Sequence, residues 1–279
     1  SGLCVRGRLN RPRMTNSSHT SSIPLKGIVL LAALTVIWGV NWPLFKIALG
    51  EFAPWSLRCF SLALGAMAVF SVARLRGLSL YVPKQVRGRL VWAALCNIAL
   101  WNILTAYGTV NLPSGHAAVI AFSMPLWAAI IGFAFLGERL NLRAILALVL
   151  GTLGLALLMV DDFAKLGGAL FGLIVLIAAA NSWAVGTLIQ KRTVWNMPLI
   201  SVAAWQMLIG LVPIAVVAAV LEFDHLATPS AIGIGLVLFI GLVSLAVGML
   251  TWFAIVHLLP TNVAAISTVL VPVVAVVGG

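Results

Sequence analysis

Hydrophobic residues along this chain run in long unbroken blocks, and the charges sit in the short gaps between them. Residues 27–45 carry no charge before Lys46, and 59–73 lie between Arg58 and Arg74. Further blocks run over 144–160, 166–190 and 193–221. Each can form one helix across a hydrocarbon core about 30 Å thick, with charged ends reaching for the headgroups. Two blocks are longer: 90–137 has 48 uncharged residues and 225–279 has 55. Each must fold back once. The turn signals are Leu112-Pro113-Ser114-Gly115 and Leu259-Pro260-Thr261, because proline starts helices and punctuates loops. The pattern predicts an all-α integral membrane protein with nine spans.

Composition agrees with the pattern. Of 279 residues, 62% are hydrophobic and 8% charged, where a soluble domain carries about 25% charged residues. So few charges cannot cover a globular surface, which excludes an ordinary soluble enzyme. The formal charge of +11 does not point to nucleic acid, since such a partner needs a hydrated basic face on a folded domain. It sets orientation in the lipid bilayer instead. With a cytoplasmic amino terminus, 14 of the 17 basic residues fall inside, leaving Lys46, Arg58 and Lys165 towards the outer face. Five of the six acids (Glu51, Asp161, Asp162, Glu222 and Asp224) fall outside. Residues 1–26, basic and then rich in Ser and Thr, form a cytoplasmic tail in this scheme. The three cysteines, Cys4, Cys59 and Cys96, show no metal or disulfide spacing.

The two turn regions resemble each other at an offset of 147 residues. Leu112-Pro113, Ala117-Ala118, Pro125, Ala128 and Gly132 recur as Leu259-Pro260, Ala264-Ala265, Pro272, Ala275 and Gly279. Five spans separate the two copies, so the repeats lie upside down relative to each other. Residues 27–160 form the first five-span repeat, and 161–279 hold spans six to nine of the second. The repeat calls for a tenth span, missing from this sequence. Inverted repeats let two halves exchange inward-open and outward-open arrangements around a midplane site, which is how secondary transporters are built.

Several short motifs fall in a telling order on this frame. They are Trp38-Gly39 in span one, Arg58 early in span two, Pro-initiated spans with a further proline inside, and Gly137-Glu138-Arg139-Leu140 closing span four. In this five-plus-five layout the sequence resembles the EamA-type drug/metabolite transporter superfamily, and within it the bacterial amino-acid exporters. The resemblance covers residues 27–279. It implies a secondary transporter carrying small metabolites, amino acids foremost, out across the bacterial inner membrane.

Polar side chains within spans are costly and therefore candidate site residues. Trp38 and Asn41 share one face of span one with Trp42 and Phe45, close to Pro43. Asn97, Trp101 and Thr105 form a stripe in span three; His116, Ser123 and Trp127 line up in span four. Asn181 and Trp183 lie in span six, Ser244 and Trp252 in span eight. Together they describe a substrate-binding cavity with aromatic walls and a few amide and hydroxyl groups, suited to a small zwitterion. The competing reading is packing: hydroxyls bonding their own helix carbonyls, and amides bridging helix pairs. Pro43, Pro125 and Pro272 are candidate hinges. For Lys46 and Arg58 two readings stand, snorkelling beside Glu51 and, for Arg58, reception of a substrate carboxylate.

No Asp or Glu lies within a span, whereas carriers driven by protons or sodium commonly place carboxylates there. No GxxxxGK[ST] loop is present, and neither a cofactor nor a metal site is expected. An intramembrane enzyme would have to use Ser114 and His116, which point to different helix faces. A channel would want rings of like polar groups.

Overall fold

The computed structural model describes residues 25–137, 168–222, 228–258 and 271–277, with a few helical positions between 146 and 154. The tail up to residue 24, the turn at Leu259-Pro260-Thr261, the join between the two proposed repeats and most of spans five and nine lie outside the described residues. Among the described residues every regular element is helical: α1 (Leu25–Ala48), α2 (Pro54–Leu75), α3 (Arg87–Ala94), α4 (Trp101–Asn111), α5 (Ser114–Ala121), α6 (Met124–Leu136), α7 (Gly168–Arg192), α8 (Leu199–Leu221), α9 (Ala231–Leu238) and α10 (Gly248–Leu258). A short helical piece, α11, spans 271–277. Seven stretches are long and apolar enough to cross a membrane, and they coincide with predicted spans one to four and six to eight.

The ends of these helices follow local chemistry. Proline at the first turn of α2 and Pro198 before α8 start helices where an N–H would have no acceptor. Gly77 closes α2 with φ +64°, its N–H donating to the Arg74 carbonyl while Leu78 N–H reaches Ala73. Charge-free blocks underestimate helix length at three points. The first helix runs past Lys46, the second begins before Arg58, and α7 runs through Lys191 and Arg192. Lys46 stays in its helix because its ammonium donates to the carbonyls of Thr109, Val110 and Leu112, where α4 ends.

Carboxylates do the reverse at helix starts. Glu222 accepts from the Ser56 N–H and hydroxyl, both at 2.7 Å, and from the Trp55 N–H, at the start of α2. Glu51 accepts from the Ser230 hydroxyl and N–H at the start of α9. Each acid complements the positive end of a helix from a distant part of the chain.

Two spans contain a wide turn. Leu95–Leu100, between α3 and α4, and Phe239–Val247, between α9 and α10, are π-helical. The α-helix resumes at Trp101 in one and at Gly248 in the other, 147 residues apart. A π turn loosens the carbonyl ladder, and in both places a side chain from another helix takes a carbonyl. Trp38 Nε1 of α1 donates to the Ser244 carbonyl at 3.1 Å, and Ser182 Oγ of α7 donates to the Cys96 carbonyl at 2.7 Å. The helices also pack crosswise: α2 against α8 and the second π segment, α8 against the first, α4 against α7, and α1 against α10. Small residues permit the approach. A β-carbon at Gly241 would stand 2.7 Å from the Ser61 carbonyl of α2, so only glycine fits there.

Candidate functional site

Among the described residues the crossing helices leave a cavity at their centre, bounded by α1, α2, α4, α7, α8, α10 and both π segments, with the α5–α6 join at one side. About 80 Å³ of it is open to water-sized molecules, enough for several waters or a small polar ligand. Its walls are aromatic. Trp38, Trp42, Phe45, Trp101, Phe122 and Trp183 all contribute. Trp101 and Trp183 bring their ring centroids to 4.8 Å across the α4–α7 contact, and Trp42 meets Phe122 edge-on at 6.1 Å.

Six of the ten residues singled out from sequence line this cavity: Trp38, Asn41, Asn97, Trp101, Trp183 and Ser244. The other four lie elsewhere. Trp252 packs behind Trp38, its centroid 6.0 Å away. Asn181 donates to the Ile177 carbonyl of its own helix at 2.9 Å. Ser123 donates to the Ile120 carbonyl and accepts from Trp127 Nε1. His116, half-buried in the first turn of α5, stands apart from the lining. Of the candidate hinges, Pro43 is inside α1; Pro125 opens α6, just after the break at Phe122 and Ser123; Pro272 lies in α11.

Arg58 requires a correction. It does not snorkel: its side chain is 5% exposed and turns into the cavity wall. Nε donates to the Asn102 carbonyl and an Nη to Thr105 Oγ1, both at 2.9 Å. The guanidinium carbon rests 3.7 Å from the centre of the Phe45 ring, a cation–π contact. All three partners are neutral. Glu51 and Glu222, the two described acids, are engaged at helix starts instead.

Asn102 was missed in the sequence because α-helical spacing takes it off the stripe of Asn97, Trp101 and Thr105. The π segment widens the turn, so residues five apart come to one side, and Asn97 and Asn102 both reach the cavity. Met207 and Ile240 also line it, and apolar residues in apolar spans give no sequence signal. The amide oxygens of Asn41, Asn97 and Asn102 are buried and accept no hydrogen bond from the described residues.

A sequence profile of the EamA-like transporter family matches residues 25–160 and 170–279. The chain belongs to that family. This EamA-like protein is therefore a multi-pass membrane transporter. It is 31% identical over 251 residues to the "Uncharacterized transporter YvbV" of Bacillus subtilis, covering 89% of this chain and 81% of that one. It is 26% identical over 256 residues to the "Probable amino-acid metabolite efflux pump" of Escherichia coli, covering 88% and 83%. One solved crystal structure superimposes with a TM-score of 0.67 at 18% identity, over 90% of this chain and 86% of the other. That likeness is one of fold.

Proposed function

We propose that this EamA-like transporter exports small metabolites, amino acids foremost, from the bacterial cytoplasm by alternating access around the central cavity. The observation that carries the reading is the cavity itself, where an aromatic wall sits beside a buried guanidinium and unsatisfied amide oxygens. That combination suits a small molecule with an apolar side chain and a charged polar end. The Escherichia coli relative named as an amino-acid metabolite efflux pump supports the same substrate class.

Alternating access needs two halves that can trade places, and we assign them to 27–160, the first five-span repeat, and 161–279, which holds spans six to nine of a second repeat inverted against the first. Three features support this. The π-to-α junctions recur at an offset of 147. A side chain from α1 caps a loosened carbonyl of the second π segment, and one from α7 does the same for the first. The family profile matches one stretch in each half.

Counterflow in proteoliposomes tests the function. Vesicles preloaded with an unlabelled amino acid are expected to take up the same labelled amino acid transiently, at several times the rate of protein-free vesicles. A panel of twenty amino acids without counterflow, beside a cationic dye or another metabolite that does exchange, would reassign the protein to other cargo of the same fold. Orientation is tested separately. A reporter joined after Arg76 is expected to report cytoplasm and one after Asp162 periplasm, because the basic gaps face inward. The reverse readout would overturn the orientation.

A further inference from the structure

Arg58 is a buried cation whose partners among the described residues are neutral: the Asn102 carbonyl, the Thr105 hydroxyl and the Phe45 ring. Desolvating a guanidinium is costly, and such groups are ordinarily paired with an anion. Among the described residues no carboxylate contacts it. Two of its five N–H donors are used there, so the fork keeps donors for a further acceptor, and a planar carboxylate matches it best. The same cavity holds the opposite deficiency. Among the described residues the buried amide oxygens of Asn41 and Asn102 lack donors, and an ammonium brings three N–H donors and no acceptor. The Asn97 oxygen is turned against Gly186 of α7 instead. The orientation of Asn102 is fixed by its own amide N–H, which donates to the Ile98 carbonyl at 2.8 Å and turns the oxygen away from that bond.

Asn102 also joins the two ends. Its backbone carbonyl holds Arg58 while its side-chain oxygen stays unsatisfied. The cavity thus pairs an anion receptor with a nearby set of ammonium acceptors, as an α-amino acid carries both charges on one carbon. Building on the transport reading above, we propose that Arg58 binds the substrate carboxylate and that the amide oxygens of Asn41 and Asn102 bind its ammonium. The side chain then lies against Trp101 and Trp183.

Three probes separate the charges: L-phenylalanine, 3-phenylpropanoate with the carboxylate alone, and phenethylamine with the ammonium alone. Calorimetric titration of the purified full chain in lipid nanodiscs is expected to show phenylalanine binding at least ten-fold tighter than either single-charge probe. In Arg58→Met protein, phenylalanine is expected to lose its advantage and to bind no more tightly than phenethylamine binds the same variant. Asn41→Leu should bring phenylalanine towards 3-phenylpropanoate. Equal wild-type affinity for phenylalanine and phenethylamine overturns the Arg58 assignment, and this comparison needs no variant to fold. Equal affinity for phenylalanine and 3-phenylpropanoate overturns the amide assignment. Amino-acid counterflow that survives Arg58→Met with its preferences intact sinks the Arg58 assignment and spares the transport reading. With no amino-acid counterflow the transport reading falls, and Arg58 is then judged on 3-phenylpropanoate alone: binding lost in Arg58→Met upholds it, and binding absent or unaltered overturns it.

Discussion

Trp101→Ala is expected to cut amino-acid counterflow at least ten-fold while the protein still reaches the membrane folded. Trp101 opens α4 directly after the π segment, with Asn97 one turn before it and Thr105 one turn after, and all three line the cavity. Its indole faces Trp183 at 4.8 Å between centroids. An aromatic pair of this kind contributes about 0.5–1.5 kcal/mol beyond the area it buries, and a ligand side chain lying on the same wall adds its own apolar contact. Losing about 1.4 kcal/mol of substrate binding already costs a factor of ten. The folding cost is smaller than for a core tryptophan, because Trp101 is only half-buried and borders open space. Trp252→Ala serves as the comparison, since that ring packs behind Trp38 outside the wall, and a milder loss is expected. Size-exclusion profiles of both variants report folding, and counterflow rates report function. Unchanged kinetics in folded Trp101→Ala protein would place the site elsewhere.

The sequence carried the helices and much of the cavity, and where it failed the reason is physical. Charge-free blocks located every described span, because lipid tolerates few charges. The same rule misjudged the helix ends at Lys46 and Arg58: the carbonyls closing α4 hold the Lys46 ammonium, and a buried carbonyl and an aromatic face hold the Arg58 guanidinium. The stripe of Asn97, Trp101 and Thr105 was legible because its spacing of four survives the junction between π and α geometry. Asn102 was not, since a π turn leaves no mark in hydrophobic periodicity. Asn181 looked equivalent to Asn97 from its depth in a span, yet it spends its amide on its own helix. Ser123 likewise bonds within its own segment. Whether a polar residue faces a cavity or its own backbone is settled by neighbouring helices, which a single span does not encode.

Transport is expected to follow the substrate's own gradient, with no need for an imposed proton or sodium gradient. Of the six acids, none lies in a span interior by sequence, and the two described ones are tied to helix starts on α2 and α9. A carrier driven by protons or sodium has to bind and release the driving ion near its substrate, and carboxylates usually perform that task. The charged group lining this cavity is Arg58, which attracts anions and repels both driving cations. A zwitterion held between Arg58 and the amide oxygens carries no net charge, so its passage should also ignore the membrane potential. The magnitude makes this a sharp test. One elementary charge crossing about 100 mV is worth about 2.3 kcal/mol, enough to bias accumulation by roughly fifty-fold. Vesicles clamped at that potential with valinomycin and potassium should instead equilibrate the amino acid to nearly equal concentrations on both sides, with or without a pH step. Accumulation near fifty-fold under potential alone would mean that a net charge moves with the substrate. Net flux found only with a proton gradient would mean that a proton is carried by a group other than a span carboxylate.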